Sequence, residues 1–299
     1  MKKVFGVIMM IGLLGLMGFD YSKHNILLNE IRDGGPPKDG IPALTDPEFV
    51  LGNEADYLNP KDRVLGVSIS GEAKAYPIKI LNWHEIVNDK ISGKEILVSY
   101  CPLCGTGMVF DANIKGKRTL FGVSGKLYNS DVLMYDRQTE SLWSQIKMEA
   151  VTGSMTGHKL ILLPARHTTW EVWRSQYPDT LVLSKRTGYS RDYARNPYES
   201  YGRTSQLYFP VNHEDKRLSL KEWVVGIVVD GKAKAYPFSE LEKKGPVVKD
   251  SIGQEIIEVH YDEKNQSAVV RNTNGDEIPS VQAYWFAWRA FYPQTELYK

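Results

Sequence analysis

The sequence predicts an α+β fold dominated by sheet, built from two diverged copies of one module, with an extra β segment inserted in the first copy. Three observations predict it. Arg63-Val-Leu-Gly-Val-Ser-Ile-Ser-Gly-Glu-Ala-Lys-Ala-Tyr-Pro77 matches Trp223-Val-Val-Gly-Ile-Val-Val-Asp-Gly-Lys-Ala-Lys-Ala-Tyr-Pro237 at an offset of 160 residues. Trp170-Glu-Val-Trp-Arg-Ser-Gln-Tyr-Pro-Asp-Thr180 matches Trp285-Phe-Ala-Trp-Arg-Ala-Phe-Tyr-Pro-Gln-Thr295 at an offset of 115. Self-similarity of this length marks a repeated unit. Finally, short β-branched runs bounded by Gly and Pro outnumber helical periods. The drop from 160 to 115 assigns 45 additional residues to the first copy.

Each element follows from local pattern. Val64 to Ser70 and Val224 to Val229 are β-branched strands, each ending at Gly71 or Gly231, and Ala-Lys-Ala-Tyr resumes extended chain, so each pair reads as a hairpin. Pro77 suits the first turn of a helix running to about Val87. Glu95 to Tyr100 is a strand. The additional segment reads as more β: Gly107 to Asp111, Thr119 to Val123, Asp131 to Tyr135 and Leu142 to Gln145. Thr169 to Tyr177 is a short helix stopped by Pro178. Thr187 to Pro210 is rich in turns, Tyr and Arg, and is expected to pack between the copies. The organisation expected is a leader or anchor over residues 1–22, a first module over 40–186, and a connecting segment with a second, degenerate module over 187–299.

The leader expectation rests on Met-Lys-Lys followed by an apolar run from Val4 to Phe19. A short positive region before an apolar stretch is the export pattern. Sixteen residues are short against the roughly 20 that span a bilayer. The expectation is an exported protein, periplasmic or extracellular, touching membrane only through this segment, cleaved or retained as an anchor. Lys plus Arg total 37 and Asp plus Glu 36, leaving a net charge of +1, which supplies no electrostatic footprint for nucleic acid.

Comparing the two copies separates scaffold from chemistry. Both keep the glycines, the Ala-Lys-Ala-Tyr-Pro run and the Trp-Arg helix. Only the first has Asn82-Trp-His84-Glu and Cys101-Pro-Leu-Cys-Gly-Thr-Gly107. Cys101 and Cys104 are the chain's two cysteines. Two sulfurs at this spacing serve a redox couple or a shared metal ion; as a staple they close too small a loop to remove much chain entropy. In the redox reading, Cys101 and Cys104 cycle between dithiol and disulfide, His84 tunes the thiolate, and Asp136 with Arg137 lines the site for an unknown redox partner or small molecule. In the metal reading, Cys101, Cys104 and His84 are three ligands. Zinc would need a fourth, such as Asp111 or Asp136, while copper(I) would suit Met108 or Met134. A third reading makes the motif a non-catalytic brace.

At these residues the chain resembles a known family, the one catalogued as domain of unknown function 3179. The resemblance is carried by Trp83-His-Glu-Ile-Val-Asn-Asp89, Ser99-Tyr-Cys-Pro-Leu-Cys-Gly-Thr-Gly107, Phe121-Gly-Val-Ser-Gly125, Leu133-Met-Tyr-Asp-Arg-Gln-Thr-Glu-Ser-Leu-Trp-Ser-Gln145 and Thr187-Gly-Tyr-Ser-Arg-Asp-Tyr193. It implies an exported or membrane-anchored protein of bacterial or archaeal type. It implies no established activity. It also implies that some members carry selenocysteine in the motif, which points to redox or soft-metal chemistry.

Overall fold

A computed structural model describes residues 18–299, so most of the expected leader lies outside the described residues. The chain forms a five-bladed β-propeller with five short helices between strands. This corrects the expectation of two α+β modules. The additional segment of the first copy is no insertion: Gly107 to Asp111 is a strand of one blade, and the strands from Phe121 to Ser144 form the next blade of the ring.

The blades follow chain order. Blade one orders Arg166–Thr169, Arg63–Ile69, Glu72–Pro77, Leu181–Leu183 and Phe49–Leu51. Blade two orders Leu162–Leu163, Thr106–Asp111, Lys94–Cys101, Ile86–Ile91 and Leu44–Thr45. Blade three orders Ile31–Asp33, Phe121–Tyr128, Asp131–Asp136, Leu142–Ser144 and Glu149–Ala150. Blade four orders Val281–Tyr284, Trp223–Val229, Lys232–Pro237 and Glu296–Leu297; blade five is the meander Val247–Ile252, Glu255–Asp262 and Ser267–Asn272.

Neighbouring blades pack Glu72–Pro77 on Ile86–Ile91, Ile86–Ile91 on Phe121–Tyr128, and Lys232–Pro237 on Val247–Ile252. Blades three and four meet where Tyr128 stands edge-on to Phe291 and the Tyr292 hydroxyl donates to the Ile146 carbonyl at 3.2 Å. The ring closes between blades one and five with a polar seam. There Arg166 Nε donates to Glu277 at 2.6 Å, Arg63 donates to the Asn265 and Gln266 carbonyls, and Thr169 donates to Asn265 at 3.0 Å.

The matched segments do fold alike, as parts of blades one and two and of blades four and five. Val64 pairs with Pro77, and Val224 with Pro237. Gly66 and Gly226 each lie flat under an indole, Trp173 and Trp288, where any Cβ would overlap the ring. Trp173 Nε1 donates to Thr180 and Trp288 Nε1 to Thr295, both at 2.9 Å. The repeated Lys and Tyr of Ala-Lys-Ala-Tyr-Pro hold an aspartate from the next blade: Lys74 and Tyr76 meet Asp89, Lys234 and Tyr236 meet Asp250. The remaining blade shares shape without sequence, because a blade needs only alternation, turns and a packed face.

One local expectation also changes. The helix ends at His84, and Ile86 and Val87 already belong to a strand. Glu85 breaks the helix with a φ of 55°. The largest apolar cluster gathers Cys101, Cys104, Met108, Phe110, Trp143 and Trp288 from blades two, three and four and the helix beside blade four.

Candidate functional site

Strand Lys94–Cys101 turns back into Thr106–Asp111 through Pro102, Leu103, Cys104 and Gly105, with Cys101 opposite Thr106. Gly105 makes this turn with a φ of 65°, and a side chain there would run into Trp223 of blade four. The turn is anchored across the ring: Tyr284 N–H donates to the Cys104 carbonyl at 2.9 Å, and Thr106 Oγ1 to the Gln282 carbonyl at 2.6 Å. Gly107 N–H donates to His167 Nε2 at 2.8 Å, and burial holds that imidazole down to about 3, so it stays neutral.

The turn thus delivers both thiols to the interior. Cys101 is 1% exposed and Cys104 is 0% exposed; both are free thiols. Blade three supplies what faces them. Asn129 and Ser130 form a two-residue hairpin loop between Tyr128 and Asp131, both at positive φ, 53° and 61°. That is the mirror-type turn that matches strand twist. It aims the Ser130 carbonyl at both thiols, which donate to it at 3.8 Å (Cys101) and 3.4 Å (Cys104). It also sets the Asp131 carboxyl beside Cys104, whose single S–H is shared between the Ser130 carbonyl and Oδ1 at 3.6 Å, while Oδ2 accepts from Ile146 N–H at 3.0 Å. The two sulfurs and an Asp131 oxygen lie within 4.8 Å of one another, all buried.

Glu85 is the fourth ionisable group in the neighbourhood. Its carboxyl accepts from the Tyr198 hydroxyl at 3.3 Å, and its carbonyl accepts from Tyr100 N–H at 2.7 Å. Desolvation, which penalises every charged form, dominates here. It lifts Glu85 to about 8 and Asp131 to about 7. It also pushes both thiols up, Cys104 furthest, where Cys101 and Asp131 add to the effect.

A cavity of about 370 Å³ opens over Cys101 between blades two and three. Its walls are mostly apolar: Ile41, Leu103, Val123, Leu127, Val132 and Phe209. Glu85 and Tyr198 supply its polar side, and Lys126, its one cation, is paired with Asp33 at 3.0 Å. The Tyr-rich segment after Thr187 was expected between two modules. It runs over this site, contributing Tyr198, Tyr208 and Phe209 to the cavity, and Phe209's carbonyl accepts from Ser130 Oγ at 2.6 Å.

The sequence-predicted residues divide. Cys101 and Cys104 lie together. His84 is buried with both ring nitrogens engaged elsewhere. Pro42's carbonyl at 2.7 Å can only accept, so Nδ1 carries the proton and Nε2 accepts from the Tyr193 hydroxyl at 2.6 Å. Asp136 organises its own hairpin, accepting from Thr139 N–H at 2.6 Å and Trp143 Nε1 at 2.9 Å. Arg137 forks onto Asp39 at 2.8 and 3.0 Å. Met108 and Met134 are buried in the same apolar cluster as the cysteines. Glu85 and Tyr198 were not singled out by sequence, and Asp131 was given no role of its own. An Asn-Ser turn followed by an acid opening the apolar strand Val-Leu-Met-Tyr was the available signal for Asp131.

The protein is therefore a propeller with a buried dithiol–carboxyl cluster. The family model described as "Protein of unknown function (DUF3179)" matches residues 38–295, and the chain belongs to that family. No curated protein and no solved structure matches the chain at a significant level.

Proposed function

We propose that the protein is an extracytoplasmic thiol oxidoreductase whose Cys101–Cys104 pair cycles between dithiol and disulfide. The observation that carries this reading is the Asp131 carboxyl against the Cys104 thiol. Disulfide formation needs a thiolate, and burial alone opposes one. A carboxyl held near neutrality beside the deeper thiol is a proton acceptor matched to that task. Cys101 lines the cavity and meets the partner. The Cys101 sulfur bonds to an oxidising partner of the disulfide or quinone class; Cys104 then gives its proton to Asp131 and attacks the Cys101 sulfur, breaking its bond to the partner, which is released reduced. Two electrons and two protons leave with the partner. Export rests on the apolar run after Met-Lys-Lys; among the described residues no helix is long and apolar enough to cross a membrane.

A second reading is favoured by the convergence of two sulfurs and a carboxylate oxygen within 4.8 Å. That donor set suits zinc better than copper(I), which prefers sulfur and imidazole, and an open fourth position would face the cavity.

Elemental analysis with thiol counting before and after reduction decides between them. The redox reading expects no stoichiometric metal and two thiols that disappear on oxidation and return on reduction. It further expects Asp131→Asn to slow disulfide formation at pH 7 at least tenfold, in a variant with unchanged circular dichroism. About one zinc per chain, retained through purification and lost in Cys101→Ser, would transfer the site to the metal reading.

A further inference from the structure

We infer that the molecule exchanging electrons with Cys101 and Cys104 is a small, uncharged carbonyl acceptor of the quinone class, bound in the cavity over Cys101, rather than a protein disulfide. This rests on the redox reading above.

Access decides first. Thiol–disulfide exchange requires one sulfur to reach another along the bond being broken. With Cys101 1% and Cys104 0% exposed, a folded partner cannot present a disulfide to either. A molecule that reaches Cys101 must enter the cavity, whose 370 Å³ lies in the range of small-ligand sites, roughly 300–1,000 Å³.

The lining then selects chemistry. Ile41, Val123, Leu127, Val132 and Phe209 form an apolar slot. Lys126, the one cation among the lining residues, is already paired with Asp33. The slot offers the carboxylates of glutathione or of a peptide no charge but Lys126, which already has a partner. The Tyr198 hydroxyl donates to Glu85, and the Glu85 carboxyl, kept protonated by burial, is the slot's donor for a carbonyl oxygen.

The first described segment leads to the cavity. After residue 18 the chain is stitched along blade three: Asp20 N–H to the Glu140 carbonyl at 3.0 Å, Asn25 N–H to Val151 at 3.2 Å, Ile31–Asp33 paired with Tyr128–Lys126, and Gly34 N–H to Gly125 at 2.8 Å. Gly34 and Pro36 then line the cavity.

The step balances. The Cys101 sulfur bonds to a ring carbon of the quinone and an electron pair moves onto the carbonyl oxygen. The Cys104 sulfur then bonds to the Cys101 sulfur as the carbon–sulfur bond breaks. One disulfide and one hydroquinone result; the two thiol protons end on the two hydroquinone oxygens, with Glu85 placed to pass one.

The test uses the full chain, reduced and freed of reductant, in detergent. It is mixed separately with 2,3-dimethyl-1,4-naphthoquinone, glutathione disulfide, an oxidised thioredoxin-type protein and diamide, while thiols and hydroquinone are counted. The expected result is two thiols lost per hydroquinone formed, at least tenfold faster than with equimolar glutathione disulfide or the protein disulfide. Oxidation by either disulfide at a rate equal to the quinone's, or by diamide alone, overturns this inference and leaves the redox reading standing. Failure of every oxidant, diamide included, to join the two cysteines overturns the redox reading itself.

Discussion

Burial fixes the protonation of two acids beside two thiols. Asp131 sits at about 7 against an ordinary 3.8, and Glu85 at about 8 against 4.5. Between about pH 4 and 8 the folded protein therefore holds protons that the unfolded chain releases. The unfolded state binds fewer protons, so stability falls as pH rises through that window and levels off above it. Each displaced pKa unit corresponds to roughly 1.4 kcal/mol. Unfolding free energies from urea titration at pH 5 and pH 8.5 should differ by a few kcal/mol more in the wild type than in Asp131→Asn/Glu85→Gln. Equal pH dependence in the two proteins would mean that both carboxyls are hydrated. This scale also shows why sequence pointed to His84 rather than Asp131. His84 is near in sequence and chemically apt, but Pro42 and Tyr193 take both its nitrogens. Asp131 comes from another blade, and only the pairing of Tyr128 with Asp131 around two positive-φ residues aims it at the sulfurs.

At the scale of elements, the repeated motifs are fastening devices. Gly66 under Trp173 and Gly226 under Trp288 are two instances of one seat. Gly66→Ala and Gly226→Ala should each cost about 1–3 kcal/mol by overpacking, read from urea denaturation, while Gly71→Ala should lack any clash component, since nothing lies within 4 Å of its added Cβ. The Lys–Tyr–Asp clamps differ instructively. Lys74 and Asp89 are 8% and 6% exposed, Lys234 and Asp250 13% and 18%. Breaking a buried pair costs about 3–5 kcal/mol and an exposed one about 0–1. With Lys234–Asp250 part-buried between these limits, Asp89→Asn should destabilise more than Asp250→Asn; the reverse order would mean that burial does not set the strength of the clamp. These elements were legible because each fastening needs particular residues at fixed spacing. The helix end was not, since Glu85 adopts its positive φ under tertiary packing rather than by propensity.

For the whole molecule, the sequence showed sheet dominance and hairpins but not the ring. Blade three carries no copy of the repeated motifs, so its strands read as an insertion. Ring closure depends on contacts between residues about 200 positions apart, such as Arg63 with Asn265 and Gln266, which no local pattern reports. Closure is also what places the site. The Cys-x-x-Cys turn of blade two is held by Tyr284 and Gln282 of blade four and faced by Ser130 and Asp131 of blade three. No isolated blade could assemble it.

The polar seam between blades one and five gives the ring a clasp. Elsewhere blades meet through apolar packing together with isolated polar clamps such as Lys74 with Asp89, whereas the seam between blades one and five is polar along its length and its part-exposed Arg166–Glu277 pair can trade partners for water. The bracelet should therefore breathe there first, opening toward a C shape while the dithiol, buried between blades two and three, stays dry. Hydrogen exchange in Glu277→Gln would register this as faster exchange in Arg166–Thr169 and Ser267–Asn272 with Lys94–Cys101 unchanged; uniform acceleration across all five blades would mean that the ring opens only as a whole.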